Sequence, residues 1–288
     1  MEMLQKFYLS LLCLLFLFSC KKDNYLSTTE EKIGKAAEIW NTENAKHGFN
    51  HSFQGTPKAM TLLDEIITLN PNHCDALREL SVAYLKRGMP YNWKPQFDKA
   101  VACNPKIWQP WRGYLYLWFY RDYKKAIADF NASDTLTPNF IDAPQGHSVD
   151  YWRGIAYLGL NDYKNSIYFF DKYINKEIED SGEDWVEFTA FLYRGIAYYE
   201  NNNLEEALKN FDKQIHYAKQ TADGKYYKAL ILHQQDKNEE ALEVLNEAII
   251  DFNDESFNER PYVETLRQIY IQDLEQLKEN IELKINNN

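Results

Sequence analysis

The chain has 288 residues and a formal net charge of -11, with 43 acidic against 32 basic side chains. That balance argues against a nucleic-acid partner, which needs a basic face to neutralise phosphates. Glycine and proline are sparse, aromatic residues reach 15%, and alternating β-branched runs are absent, so the composition points to an all-helical protein.

At the start, Lys6 precedes an apolar run from Phe7 to Phe18, which stops at Ser19-Cys20 ahead of Lys21-Lys22-Asp23. A basic beginning, a short apolar stretch and a small residue at its end describe a secretory signal, short for a membrane span. Leu17-Phe18-Ser19-Cys20 resembles the bacterial lipobox. The resemblance implies that residues 1–19 are a signal peptide and that Cys20 is acylated. At roughly 0.8 kcal/mol per buried methylene, several acyl chains would hold the protein on a membrane. Lys21 stands where some bacteria place the Asp of inner-membrane retention, which favours an outer membrane. Lys-Lys-Asp resembles, at short length, the surface-export signals of Bacteroidota lipoproteins; the periplasmic and surface faces both stay open. Residues 20–29 read as a tether.

Ile33, Ala36, Ala37, Ile39 and Trp40 recur at helical spacing, so a helix is expected over 30–45. His47 to Thr56, with two glycines, reads as a long turn, and Pro57 starts a second helix that ends at Asn70-Pro71. Further along, Arg-Gly-Ile-Ala-Tyr is written twice, at Arg153 and at Arg194, each time followed by a polar turn and a helix closing on Phe, at Phe170 and Phe211. Phe-Asp-Lys itself recurs at Phe97, Phe170 and Phe211. Such repetition favours one elongated array in which each unit buries its apolar face on its neighbours.

These residues resemble the tetratricopeptide repeat, a helix-turn-helix unit of about 34 residues. Its small residues sit where two helices approach most closely, and its aromatics fill the groove between neighbours. Cys74–Pro105, Ile107–Pro138, His147–Asn175, Phe188–Tyr217 and Ala222–Phe252 fit the pattern. The first puts Trp93 where a small residue is expected, and the second carries about one extra residue in its first helix. Phe130 to Phe170 is forty residues and Phe170 to Phe211 forty-one. The excess is assigned to loops at 139–146 and 176–184, the latter acidic but without calcium-loop spacing. A final helix is expected from Arg260-Pro261 to Ile285 as the solvating cap of the array. The predicted architecture is an all-α solenoid of about six such hairpins over residues 30–260, with a capping helix over 261–288.

In that register Cys74 and Cys103 lie at the same end of one hairpin, where a disulfide fits an oxidising compartment. Buried free thiols are the alternative. Arg112, Arg153 and Arg194 recur forty-one residues apart. They form either a ladder that clamps carboxylate or phosphate, or a structural set paired with second-helix acids such as Asp129, Asp171 and Asp212. The family resemblance further implies that first helices line a concave groove. It turns Trp108, Trp111, Trp118, Tyr151, Tyr199 and Tyr226 toward that groove, where rings suit an extended peptide or a sugar chain; core packing between hairpins is the other use of such rings.

Catalytic and cofactor signatures are absent. The histidines are scattered, and no His-Glu-x-x-His, paired-Cys, phosphate-loop or Gly-x-Ser-x-Gly motif occurs. The expected function is therefore a non-enzymatic, membrane-anchored scaffold without cofactor or metal, binding an envelope protein or peptide segment. Surface glycan capture and a part in outer-membrane assembly are the other readings.

Overall fold

The structure, a computed structural model, describes residues 28–47 and 54–287; the expected signal peptide and Cys20 lie outside the described residues. Among those described there are thirteen α-helices and no strand. They are α1 (Thr29–His47), α2 (Pro57–Leu69), α3 (Cys74–Lys86), α4 (Pro90–Cys103), α5 (Pro105–Leu115), α6 (Tyr123–Leu136), α7 (Val149–Gly159), α8 (Tyr163–Ser181), α9 (Phe188–Glu200), α10 (Leu204–Ala218), α11 (Ala222–Gln234), α12 (Asn238–Asn253) and α13 (Ile271–Asn286). The first twelve pair as six antiparallel hairpins, each packed on the next. The chain is an all-α helical-repeat solenoid.

The recurring polar turn has a local cause. Arg121, Asn161 and Asn202 take left-handed backbone angles, which reverse the chain. The next residue, Asp122, Asp162 or Asn203, then accepts a backbone N–H in the first turn of the second helix. Thr56 and Ser148 cap α2 and α7 in the same way.

Contact between the two helices of a hairpin requires the repeated glycine. A Cβ at Gly113, Gly154 or Gly195 would sit 2.7, 2.8 or 2.6 Å from the ring of Phe130, Phe170 or Phe211. Each of these rings is 0% exposed, so the Phe occupies the space the missing side chain leaves. Burying such a ring contributes on the order of 2–3 kcal/mol. Beside the second of these contacts, the Ser166 hydroxyl donates to the Gly154 carbonyl at 2.8 Å.

Two departures from the repeat pattern meet in space. The extra residue after α5 is taken up by a π-helical turn, Tyr116–Tyr120. Trp93, fully buried on α4, packs edge-on to Tyr116 at 5.5 Å and against Tyr120 at 4.9 Å. A bulky ring replaces a small one on α4, and the widened turn opposite receives it.

Three expectations need correction. Residues 176–181 are the last turns of α8, because nothing breaks the helix before Gly182, whose φ is 99°; the acidic side chains there line a helix rather than a loop. The array ends at Asn253, not 260. The expected helix from Pro261 starts only at Ile271, since Tyr262 and Arg267 take positive φ of 73° and 58°. Between the array and α13, residues 254–270 form an irregular strap. Leu274, Leu277 and Ile281 of α13 are buried, and the helix packs on α12 and α11, closing the apolar end of the stack.

Cys74 and Cys103 are joined in a disulfide with Cα atoms 5.6 Å apart, linking the start of α3 to the end of α4.

Candidate functional site

The first helices α7, α9 and α11 pack on one another more closely than the second helices do, which makes their row the inner face of the solenoid. The strap runs along that face. Its Asn258 amide donates to the Tyr193 hydroxyl of α9 at 2.9 Å, and its backbone N–H donates to the Asp223 carboxylate of α11 at 2.7 Å. Arg267 makes a fork to Glu200 of α9, at 2.6 and 2.9 Å, with a further bond to Asn161 at 2.8 Å. The strap's own Leu266 and Ile269 are buried. In the other direction, Arg121 donates to the backbone carbonyl of Glu264.

Arg260 is the centre of this contact. Its guanidinium lies 4.5 Å from the Trp118 ring centroid, 5.3 Å from Trp152 and 5.5 Å from Tyr114, and it donates to the Tyr114 hydroxyl. Three ring faces hold the cation by their quadrupoles.

The strap leaves the amino-terminal part of the face open. There, α3, α5, the π-turn and strap residues 260–263 enclose a cleft of about 530 Å³. Trp111, Tyr114, Phe119 and Tyr262 supply rings, and Arg78, Lys86 and Arg260 supply charge. Arg78 stacks on Trp108 and Trp111 at 5.2 Å from each centroid and pairs with Glu79. Burial pushes its pKa down to about 10, which leaves it cationic at neutral pH. Lys86 lies 5.1 Å from the Tyr262 ring centroid.

Five of the six expected groove rings separate into three sets. Trp111, half-buried, lines the open cleft, and Trp108 lies beside it under Arg78. Trp118 lies on the inner face but is 2% exposed, covered by Arg260. Tyr199 and Tyr226 are half-buried. Tyr199 accepts from Gln234 at 2.8 Å, and burial pushes Tyr226 up to about 12, with Asp273 of α13 adding to the effect.

Tyr151 is a correction. It is 3% exposed and packs edge-on to Trp152, Phe170 and Tyr173 within its own hairpin, with its hydroxyl 2.7 Å from Thr189 of the next. Burial raises its pKa well above the ordinary range.

The arginine ladder is paired throughout; Asp129 meets Arg112 of its own hairpin as expected, while Asp171 and Asp212 do not meet the arginines of theirs. Asp171 and Asp212 reach forward to the next hairpin, bonding Arg194 and Lys228, each at 2.7 Å. Asp98 likewise meets Arg112 at 2.9 Å, and Arg112 also forks onto Asp129 at 2.8 and 2.7 Å. That bonding raises its pKa further. Arg153, 1% exposed, bonds Asp150 at 2.6 Å, Asn131 at 3.1 Å and Asp134. It does not pair with Asp171, because the second-helix acid lies over the following hairpin rather than its own. The geometry makes these arginines ties between units.

Sequence reasoning missed Arg78, Lys86 and the whole strap. Val263, Leu266, Ile269 and Tyr270 stand three, three and one apart and imitate a helical stripe. The one available signal was Pro261 inside an Asn- and Glu-rich stretch.

These features define a helical-repeat scaffold with an open cleft on its inner face. Residues 192–256 match the family model described as tetratricopeptide repeat. It is similar in fold to several solved structures. PilW, titled a widely conserved type IV pilus biogenesis factor, is 13% identical with TM-score 0.56, covering 79% of this chain and 94% of that one. The yeast Tom70 is 14% identical with TM-score 0.54, covering 94% and 58%. The APC/C hetero-tetramer Cut9-Hcn1 is 12% identical with TM-score 0.59, covering 93% and 50%. No curated protein matches the chain.

Proposed function

We propose that the protein is a membrane-anchored, non-enzymatic scaffold that holds an extended segment of another envelope protein against its inner face. The observation that carries this reading is the cleft around Trp111, where rings and cations stay open while the strap covers the rest of the face. Flat rings give large contact area at small entropic cost, as an extended segment requires. Anchoring rests on the lipobox-like Leu17-Phe18-Ser19-Cys20, and Lys21 favours the outer membrane.

The test is a photo-crosslinking residue placed at position 111 in the full chain, compared with one at Tyr168, which is 57% exposed on α8. A discrete adduct with an envelope protein at 111 and not at 168 is expected. Equal labelling at both, or a glycan adduct alone, would overturn the reading. Cys20→Ala should move the protein from the membrane to the soluble fraction; retention on the membrane would remove the anchor.

A further inference from the structure

The cleft has a charge that the rest of the molecule does not prepare for. In a chain of net charge -11, the residues lining it include Arg78, Lys86 and Arg260 and no carboxylate. Within the cleft Arg78 is paired with Glu79, and most arginines elsewhere are likewise answered by acids: Arg112 by Asp98 and Asp129, Arg153 by Asp134 and Asp150, Arg194 by Asp171, Arg267 by Glu200. Arg260 is held differently. Three rings and one tyrosine hydroxyl fix its plane, and among the described residues it meets no carboxylate.

A guanidinium immobilised by stacking keeps most of its N–H donors while losing most of its rotamer freedom. It has therefore already met much of the cost of receiving a planar anion. A carboxylate is the planar anion that matches its fork. Lys86 supplies a second charge to the cleft, over Tyr262, and Trp111 and Phe119 add apolar rings to its lining.

We propose that the cleft binds an acidic extended segment of a partner protein. One carboxylate of the segment pairs with Arg260, another with Lys86, and an apolar or aromatic side chain rests on Trp111 and Phe119. The proposal rests on the scaffold reading above and names its ligand chemistry. One wall of the site belongs to the strap, so the site exists only while the strap is docked, and an occupied cleft clamps the strap in place.

The experiment uses the full chain, solubilised, and two fluorescein-labelled peptides. One is Asp-Glu-Phe-Asp-Glu-Tyr; the other replaces every Asp and Glu by Asn and Gln. Fluorescence anisotropy should show saturable binding of the acidic peptide, weaker by about tenfold or more for the amide peptide, and weakening as salt rises. Arg260→Met should lose about tenfold in affinity and Lys86→Gln a smaller factor. Arg260→Lys, which keeps the charge without the fork, should fall between native and Met. Circular dichroism melts check that each variant is folded, and Lys86→Gln keeps the test decisive should the Arg260 variants unfold. Hydrogen exchange over 257–270 should slow when the acidic peptide is bound.

Equal binding of both peptides would overturn the charge assignment and leave the scaffold reading standing. Binding of neither, together with no adduct at position 111, would overturn both. Binding of the acidic peptide that is unchanged in Arg260→Met and Lys86→Gln would place the site elsewhere and overturn the proposal.

Discussion

Asp223 gives a sharp test of how the strap is moored. It stands at the start of α11, 2% exposed, and the backbone N–H of Asn258 donates to it at 2.7 Å. Burial outweighs that bond and pushes its pKa from 3.8 up to about 6. The folded chain therefore holds this proton more tightly than the unfolded chain. Between those two values the folded state binds more protons, so stability from this group falls as pH rises through the window. Above pH 6 the ionised form costs on the order of 3 kcal/mol, from ~1.4 kcal/mol per pH unit across the gap. Asp223→Asn removes the charge and keeps an oxygen to receive Asn258. The variant should be more stable than the native chain by on the order of 2 kcal/mol at pH 7.5, with the difference vanishing near pH 4. Urea unfolding at both pH values, paired with hydrogen exchange over 257–270, measures this. Glu183, whose pKa is lowered by its bond to Lys213, works in the opposite direction. It is present in both proteins and cancels in the difference. A stability difference independent of pH, or a variant less stable at pH 7.5, would refute the reasoning.

Gly154→Ala should destabilise by about 1–2 kcal/mol, because crowding against Phe170 (about 1–3 kcal/mol) exceeds the gain in helix propensity of up to ~1 kcal/mol. Gly34→Ala on α1, with nothing within 4 Å of its Cβ, should stabilise instead; thermal melts of the two variants should move in opposite directions. Arg153→Ala leaves Asp150 buried with only Lys172 to answer it and should cost about 3–5 kcal/mol. The double variant Asp150→Asn/Arg153→Met should recover most of that in chemical denaturation, and failure to recover would show that the guanidinium does more than neutralise the acid. Cys74→Ala opens a loop closed across a separation of 29 residues and should lower stability by about 3–4 kcal/mol. A native chain whose unfolding curve is unchanged by reductant would contradict this.

The repeat was legible because its physics is local and redundant. Gly154 and Phe170, Gly195 and Phe211, and the capping residues after each left-handed turn act within a single hairpin, so their spacing appears directly in the chain. Pairing between hairpins was legible only in part. Asp171 was visible as an in-phase acid, but which arginine it meets depends on how one unit is rotated on the next, and the answer is Arg194, not Arg153. Trp93 looked like a flaw until the π-turn brought Tyr116 and Tyr120 over it.

By itself the sequence determined the helices, their pairing and the solenoid, since these follow from short-range periodicity and close packing. Only the tertiary structure decided which rings stay open on the inner face. Tyr151 went into the core, Trp118 went beneath Arg260, and Trp111 stayed open. The physical reason is the strap: a segment without helical backbone returns across more than a hundred residues, from Arg260 to Tyr114, to cover part of the inner face. Contacts of that range leave no period in the sequence from which they could be read.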